Sequence, residues 1–181
     1  MIYHLSLHAA GLIAGLLLVV LSLLAFVAPA RALLPSFPRS RVAGVSLLTI
    51  DLAWSFWLLA TMEMGEFAKF RAPLLIILPV GYILVLMFVD EFLAVRALGI
   101  LCLLAAEPLL DAAFLRPQAS RLLVAVLAYL MIVAGLVWVM MPYLLRDQIS
   151  WSARGAGRWR FLTGLGLVFG AAIFICTLAA Y

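Results

Sequence analysis

Four side chains inside otherwise apolar sequence could do chemistry. Asp51 stands in LLTIDLAWSFW, Tyr82 in LPVGYILVL, and Glu107 and Asp111 in LCLLAAEPLLDAAFLRP. Glu107 and Asp111 are four residues apart, so on a helix they share a face. Pro108, between them, has no amide hydrogen and crowds the carbonyl one turn back, which predicts a freed Leu104 carbonyl and a local kink. Trp54 and Ser55 occupy the i+3 and i+4 positions from Asp51. A charged acid at mid-depth in a membrane costs at least a few kcal/mol, about 3 on insertion scales, so each is expected to face the bundle or a wet cavity. A proton or cation relay, or a polar substrate site, would use Asp51 and Glu107 at similar depth, with Asp111 as an outer station. The competing reading is structural. Neutral acids would tie helices together by donating to Tyr82, Ser55 or the Leu104 carbonyl, with Arg116 in reach of Asp111. The structural reading is preferred, because no Lys or Arg is expected at their depth.

His4 and His8 are the two histidines, and their i, i+4 spacing places them on one face of the first helix. They are candidate ligands for a metal or a tetrapyrrole. Haem held between two helices would need a histidine on a second span, and the sequence has none. They read instead as interfacial residues, and no metal or other cofactor is expected. Asp90 and Glu91 read as a solvated turn with Arg96 nearby. Cys102 and Cys176 are isolated in apolar runs, with no CxxC pattern and no disulfide framework. They read as small core residues.

The elements that must position these residues follow from composition. Hydrophobic residues make up 69 % of the 181, and charged residues 11 %. Mean hydropathy is +1.27. A soluble domain is about half apolar and a quarter charged, so this chain calls for lipid as its solvent. Backbone polar groups in lipid must be satisfied within the segment, which favours helices. The apolar runs are long and continuous, unlike the short alternating segments of a membrane β-barrel. The fold class is therefore an all-α polytopic bundle, a single transmembrane domain over residues 1–181.

A spanning helix needs about 20 mostly apolar residues. Six such runs are predicted: Tyr3–Phe26, Val42–Met62, Pro73–Val89, Arg96–Leu115, Arg121–Leu145 and Phe161–Tyr181. The third and fourth are separated by FVDEFLAVR, short enough for a tight hairpin. RDQISWSARGAGRWR reads as the longest polar loop. The first run lacks a preceding Lys or Arg and exceeds the roughly 7–15 residues of a signal-peptide core, so it is read as a retained span despite Ala28-Pro29-Ala30. Arginines 31, 39, 41, 96, 146, 154, 158 and 160 fall in or beside the odd loops, against Lys69, Arg71, Arg116 and Arg121 on the other side. Positive residues stay cytoplasmic, which predicts both termini outside and an integral protein of a bacterial-type plasma membrane. Trp151 and Trp159 flank the last basic loop, as interfacial Trp does.

Gly11-Leu-Ile-Ala-Gly15 and Gly166-Leu-Val-Phe-Gly170 are GxxxG patterns, which let helix backbones approach closely. Packing within the bundle is the preferred reading, with contact to another subunit as the alternative. A weak echo at a spacing of eighty residues, Leu23-Leu24-Ala25 with Leu103-Leu104-Ala105, is too slight to establish an inverted repeat.

Several function classes lack their residues. Lys69 is the one lysine and lies in a loop, so no span can carry a Schiff base. GxSxG, HExxH and P-loop patterns are absent. Asp90-Glu91-Phe-Leu-Ala-Val-Arg96 differs from the glutamate-pair signature of CAAX-type membrane proteases, since its arginine is one residue too distant and the downstream histidines are missing. The loops are too short for a folded domain. The expectation is a non-enzymatic multi-pass protein, an accessory or assembly subunit whose partners are the bilayer and other membrane subunits, with no nucleic acid. The alternative is a small proton- or cation-coupled transporter or channel working through Asp51, Glu107 and Asp111.

Overall fold

A computed structural model describes residues 5–27, 30–89, 91–118 and 120–179. Among these residues there are helices and no strands. Six helices are long and apolar enough to cross a membrane, so the chain is a multi-pass integral membrane protein. The spans are α1 (Leu7–Val27), α3 (Arg41–Thr61), α4 (Arg71–Phe88), α5 (Leu93–Ala113), α6 (Ser120–Met140) and α8 (Ala156–Ala179). Two shorter helices complete the list: α2 (Ala30–Leu33) and α7 (Pro142–Arg154). Short 3-10 helices at Leu34–Arg39 and Gly65–Phe70 lead into α3 and α4.

The bundle is built from two tight antiparallel pairs, with two helices laid against them. In the first pair, α1 and α8 meet through glycine. A Cβ on Gly15 would stand 2.9 Å from the Phe174 amide nitrogen, and one on Gly170 3.2 Å from the Gly15 carbonyl oxygen. Gly11 abuts Thr177, and a Cβ on Gly166 would stand 2.7 Å from the Ser22 hydroxyl. The four glycines of the two GxxxG patterns thus lie in one helix–helix interface. At its far end, Trp159 Nε1 donates to the Ala25 carbonyl at 3.0 Å. In the second pair, α5 and α6, Gly99 and Gly135 stand opposite each other. A Cβ on either would come within 2.8 Å of the other's carbonyl oxygen. Both contacts are the close approach that small residues allow when apolar surface alone gives no preference for protein over lipid. Leu7, Ala10, Ala14, Ala106, Ala112, Val124, Ala128 and Ile173 form the core where the two pairs join.

α3 runs parallel to α5 and packs on it near its own start, where Gly44 lies against Leu93 and Ala94. Ser40 caps α3 by accepting from the Ala43 amide at 3.2 Å, as N-cap serines do. α4 lies outermost, against α3, and none of its residues is buried.

One element departs from the expected loops. The fifth span was expected to reach Leu145, and 146–160 to be a loop. The helix ends at Met140, where Met141 leaves helical geometry (φ −128°, ψ 71°), and Pro142 starts α7. Proline lacks the amide needed to continue a ladder but suits the first helical turn. α7 buries Pro142, Leu145, Ile149 and Ser152, spaced three and four apart. Leu145 and Ile149 pack on Val95 among Phe37, Phe92, Leu98 and Trp138. Arg146, Asp147 and Trp151 stay on the outer side, with Arg146 paired to Asp147 at 2.8 Å. α7 is thus an amphipathic helix covering the end of the bundle that carries Arg31, Arg39, Arg41 and Arg96. Arg31 Nε donates to the Ala153 carbonyl at 2.7 Å, which fastens α2 to α7.

Candidate functional site

Two clefts hold the acidic residues of the spans. The larger, about 1080 Å³, lies between the C-terminal halves of α3 and α5. Gly44 brings these helices together at their starts, and the cleft occupies the opposite end. α5 contributes Leu103, Ala106, Glu107, Leu110 and Asp111, a stripe with the helical period, and Phe114 follows at its C-terminal cap. α3 contributes Trp57 and Thr61, the following turn Met62 and Glu63, and α6 Ile132. Glu107 is exposed to the cleft and Asp111 half-exposed. Glu63 was not singled out by the sequence, because it reads as an ordinary loop acid just past Met62. Neither Glu107 nor Asp111 has an ion pair among the described residues, and Arg116 is exposed without one. Pro108 is accommodated inside α5.

The smaller cleft, about 310 Å³, lies between α3, α4 and α5. Leu48, Asp51, Leu52 and Ser55 face Ile77, Leu78, Gly81, Tyr82 and Val85 of α4, with Ile100 of α5 behind. Asp51 is 3 % exposed. Both of its carboxyl oxygens are buried with no hydrogen-bond partner. The Tyr82 hydroxyl shares a 2.8 Å hydrogen bond with Thr49, not with Asp51. Thr49 in turn donates to the Val45 carbonyl of its own helix.

The structure brings Asp51 and Tyr82 to one cleft and Glu107 and Asp111 to another. Gly44 is level with Ala94, so Glu107 lies about six residues further along than Asp51, or ~9 Å of helix rise. The two acids therefore stand at different levels along the α3–α5 pair. His8 is half-buried on α1, and His4 lies outside the described residues, as does Asp90. Among the described residues, no three His, Cys, Asp or Glu side chains are grouped to hold a metal ion. Cys102 is half-buried and Cys176 exposed.

Comparison with known proteins adds one match. A family model described as Cell division protein CrgA matches residues 111–177, little more than a third of the chain. The matched stretch holds the last turn of α5, all of α6 and α7, and α8 almost to its end. No curated protein and no solved structure matches the chain. The chain is therefore similar to that family across its C-terminal hairpin of two spans and the amphipathic helix between them.

Proposed function

We propose that this protein is a non-enzymatic accessory or assembly subunit of a complex in a bacterial-type plasma membrane, and that the complex acts in cell division. The observation that carries this reading is where the family match falls. It covers a pair of spans joined by an amphipathic helix, a unit suited to lying in the membrane against other spans. Short loops support it, since they leave the helix faces and the rim as the surfaces a partner can meet. The arginine-rich rim under α7 is cytoplasmic in this reading, and both termini are outside. A fluorescent fusion, together with photo-crosslinkers at the lipid-facing Tyr129, Val133 and Val168, tests the proposal. Enrichment at the division site and crosslinked species above the monomer mass are expected. An evenly distributed protein that yields only monomer overturns the reading. Cysteines near Leu7 and Gly155, labelled in intact cells with an impermeant thiol reagent, test the orientation. Labelling at Gly155 with protection near Leu7 reverses it.

A second reading rests on Asp51, a buried carboxyl without a partner beside a cleft. A small proton- or cation-coupled transporter would use such a group. Flux in liposomes that Asp51→Asn abolishes, with the fold intact, would favour the transporter. Equal flux in both, or none, removes it.

A further inference from the structure

The Asp51 carboxyl is an orphan in either protonation state. As a carboxylate it has no donor, and as an acid it has no acceptor, because neither oxygen has a partner. Buried polar atoms in native proteins are nearly always satisfied, and an exception calls for a missing group. The chain has no cation of its own to supply. Its twelve Lys and Arg residues lie near span ends or in the connecting segments, whereas Asp51 is central in α3.

The shape of the cleft identifies what is missing. Its volume of about 310 Å³ is on the order of ten times the ~30 Å³ that one water occupies in the liquid. A lone water or ion would leave it mostly empty. Its lining is apolar at Leu48, Leu52, Ile77, Leu78, Val85 and Ile100, and polar at Asp51, Ser55 and Tyr82. An apolar cleft with a carboxyl in its lining complements a long aliphatic stem with a cationic tip, which describes a Lys or Arg side chain. The outer wall is α4, the one span without a buried residue. A Cβ on Gly81 would meet nothing within 4 Å, so this wall leaves room at mid-depth.

We infer that the α3–α4 cleft receives a Lys or Arg side chain from the mid-depth of a partner's membrane helix, and that Asp51 is its counter-charge. This rests on the accessory-subunit reading and names the chemistry of the partner. Within a membrane, such a pair satisfies two groups that are each costly alone.

The test uses the full chain in phosphatidylcholine nanodiscs and a dansyl-labelled Leu/Ala membrane peptide of about 22 residues with one central Lys. Energy transfer from the chain's tryptophans reads association. The Lys peptide is expected to bind about tenfold more tightly than the same peptide with a central Leu. Asp51→Asn should abolish that preference without loss of folding. Gly81→Leu, which fills the cleft and leaves the carboxyl in place, should abolish it as well. Equal binding of the two peptides, or a preference that survives both substitutions, overturns the inference. So does saturation by dodecylammonium without Lys-peptide preference, which would make the site one for small amines. Crosslinked complexes that persist in cells carrying Asp51→Asn, with no peptide preference in nanodiscs, would sink this inference alone. A Lys-peptide preference in a chain that is monomeric in cells would overturn the accessory-subunit reading and with it the partner, leaving only the cleft's preference for a cationic side chain.

Discussion

The α1–α8 interface and the α3–α4 interface both join antiparallel membrane helices, and both contain glycine, yet they end in opposite conditions. At α1–α8 each glycine of the two GxxxG patterns faces atoms inside ordinary contact distance, Gly15 against Phe174 and Gly170 against Leu18, Val19 and Gly15. At α3–α4, Gly81 faces open space in the cleft that Asp51, Leu52 and Ser55 also line. A glycine closes an interface only when the neighbouring helix comes near enough to use the space its missing side chain leaves. Otherwise it leaves a gap. The first interface is complete within this chain. The second holds an unpaired carboxyl and unused volume, as expected of a surface whose complement lies on another molecule.

The sharpest way to break this contrast is to enlarge a residue in the closed interface. Gly15→Leu would press a side chain onto the Phe174 backbone, 2.9 to 3.0 Å away even for a Cβ. Backbone cannot rotate aside, so the helices must separate. Overpacking of this kind costs about 3 kcal/mol, read by steric trapping or detergent unfolding in bicelles. A loss under about 0.5 kcal/mol, the range of neutral surface changes, would mean that α1 and α8 do not hold the bundle together.

The open interface predicts a change of the other sign. Replacing a buried polar group usually strands its partner. Asp51 has no partner to strand. Asp51→Leu should therefore stabilise the isolated chain, by about 1–3 kcal/mol, the cost of one unsatisfied buried group. A loss of stability would show that the carboxyl is engaged. Glu107→Leu serves as the control, since Glu107 is already exposed, and it should change stability by less than about 0.5 kcal/mol.

The contrast also marks how far the sequence could be read. The six spans were legible because uninterrupted apolar runs of membrane length have few other uses. The acids and both GxxxG patterns stood out for the same reason. Pairing was not legible. Nothing in GLIAG says that it meets GLVFG, since that depends on how two distant helices rotate and slide. The relative level of Asp51 and Glu107 was not legible for the same reason, because Gly44 sets the offset of α3 against α5. α7 was hidden by its neighbours. Met141–Leu145 extended an apolar run, and Arg146–Trp151 read as loop. The period of Pro142, Leu145, Ile149 and Ser152, with Pro142 as a helix start, was the available signal.

A milder probe of the closed interface is Trp159→Phe. The indole fills the space beside α1 and donates to the Ala25 carbonyl. Phenylalanine retains most of the apolar contact and drops the donor. The expected loss is about 1 kcal/mol, the net value of one hydrogen bond. A loss several times larger would mean that the ring's shape, and not its N–H, seals this end.

The smallest expected effect is the most diagnostic, because one substitution should carry opposite signs at two sites. Glycine within a helix is less favourable than alanine by about 0.5–1 kcal/mol, since it loses more backbone freedom on ordering. At Gly81 nothing opposes that gain, as the new methyl group meets no atom within 4 Å. Gly81→Ala should therefore stabilise the chain slightly, and a single methyl leaves most of the cleft open for a larger side chain. At Gly15 the same methyl would lie 2.9 Å from the Phe174 nitrogen and 3.0 Å from its Cα. The steric cost there exceeds the helical gain, so Gly15→Ala should destabilise. Both variants can be unfolded side by side in the same bicelles. If Gly81→Ala destabilises as well, the space beside it is filled in the membrane, and α4 packs as tightly as α8.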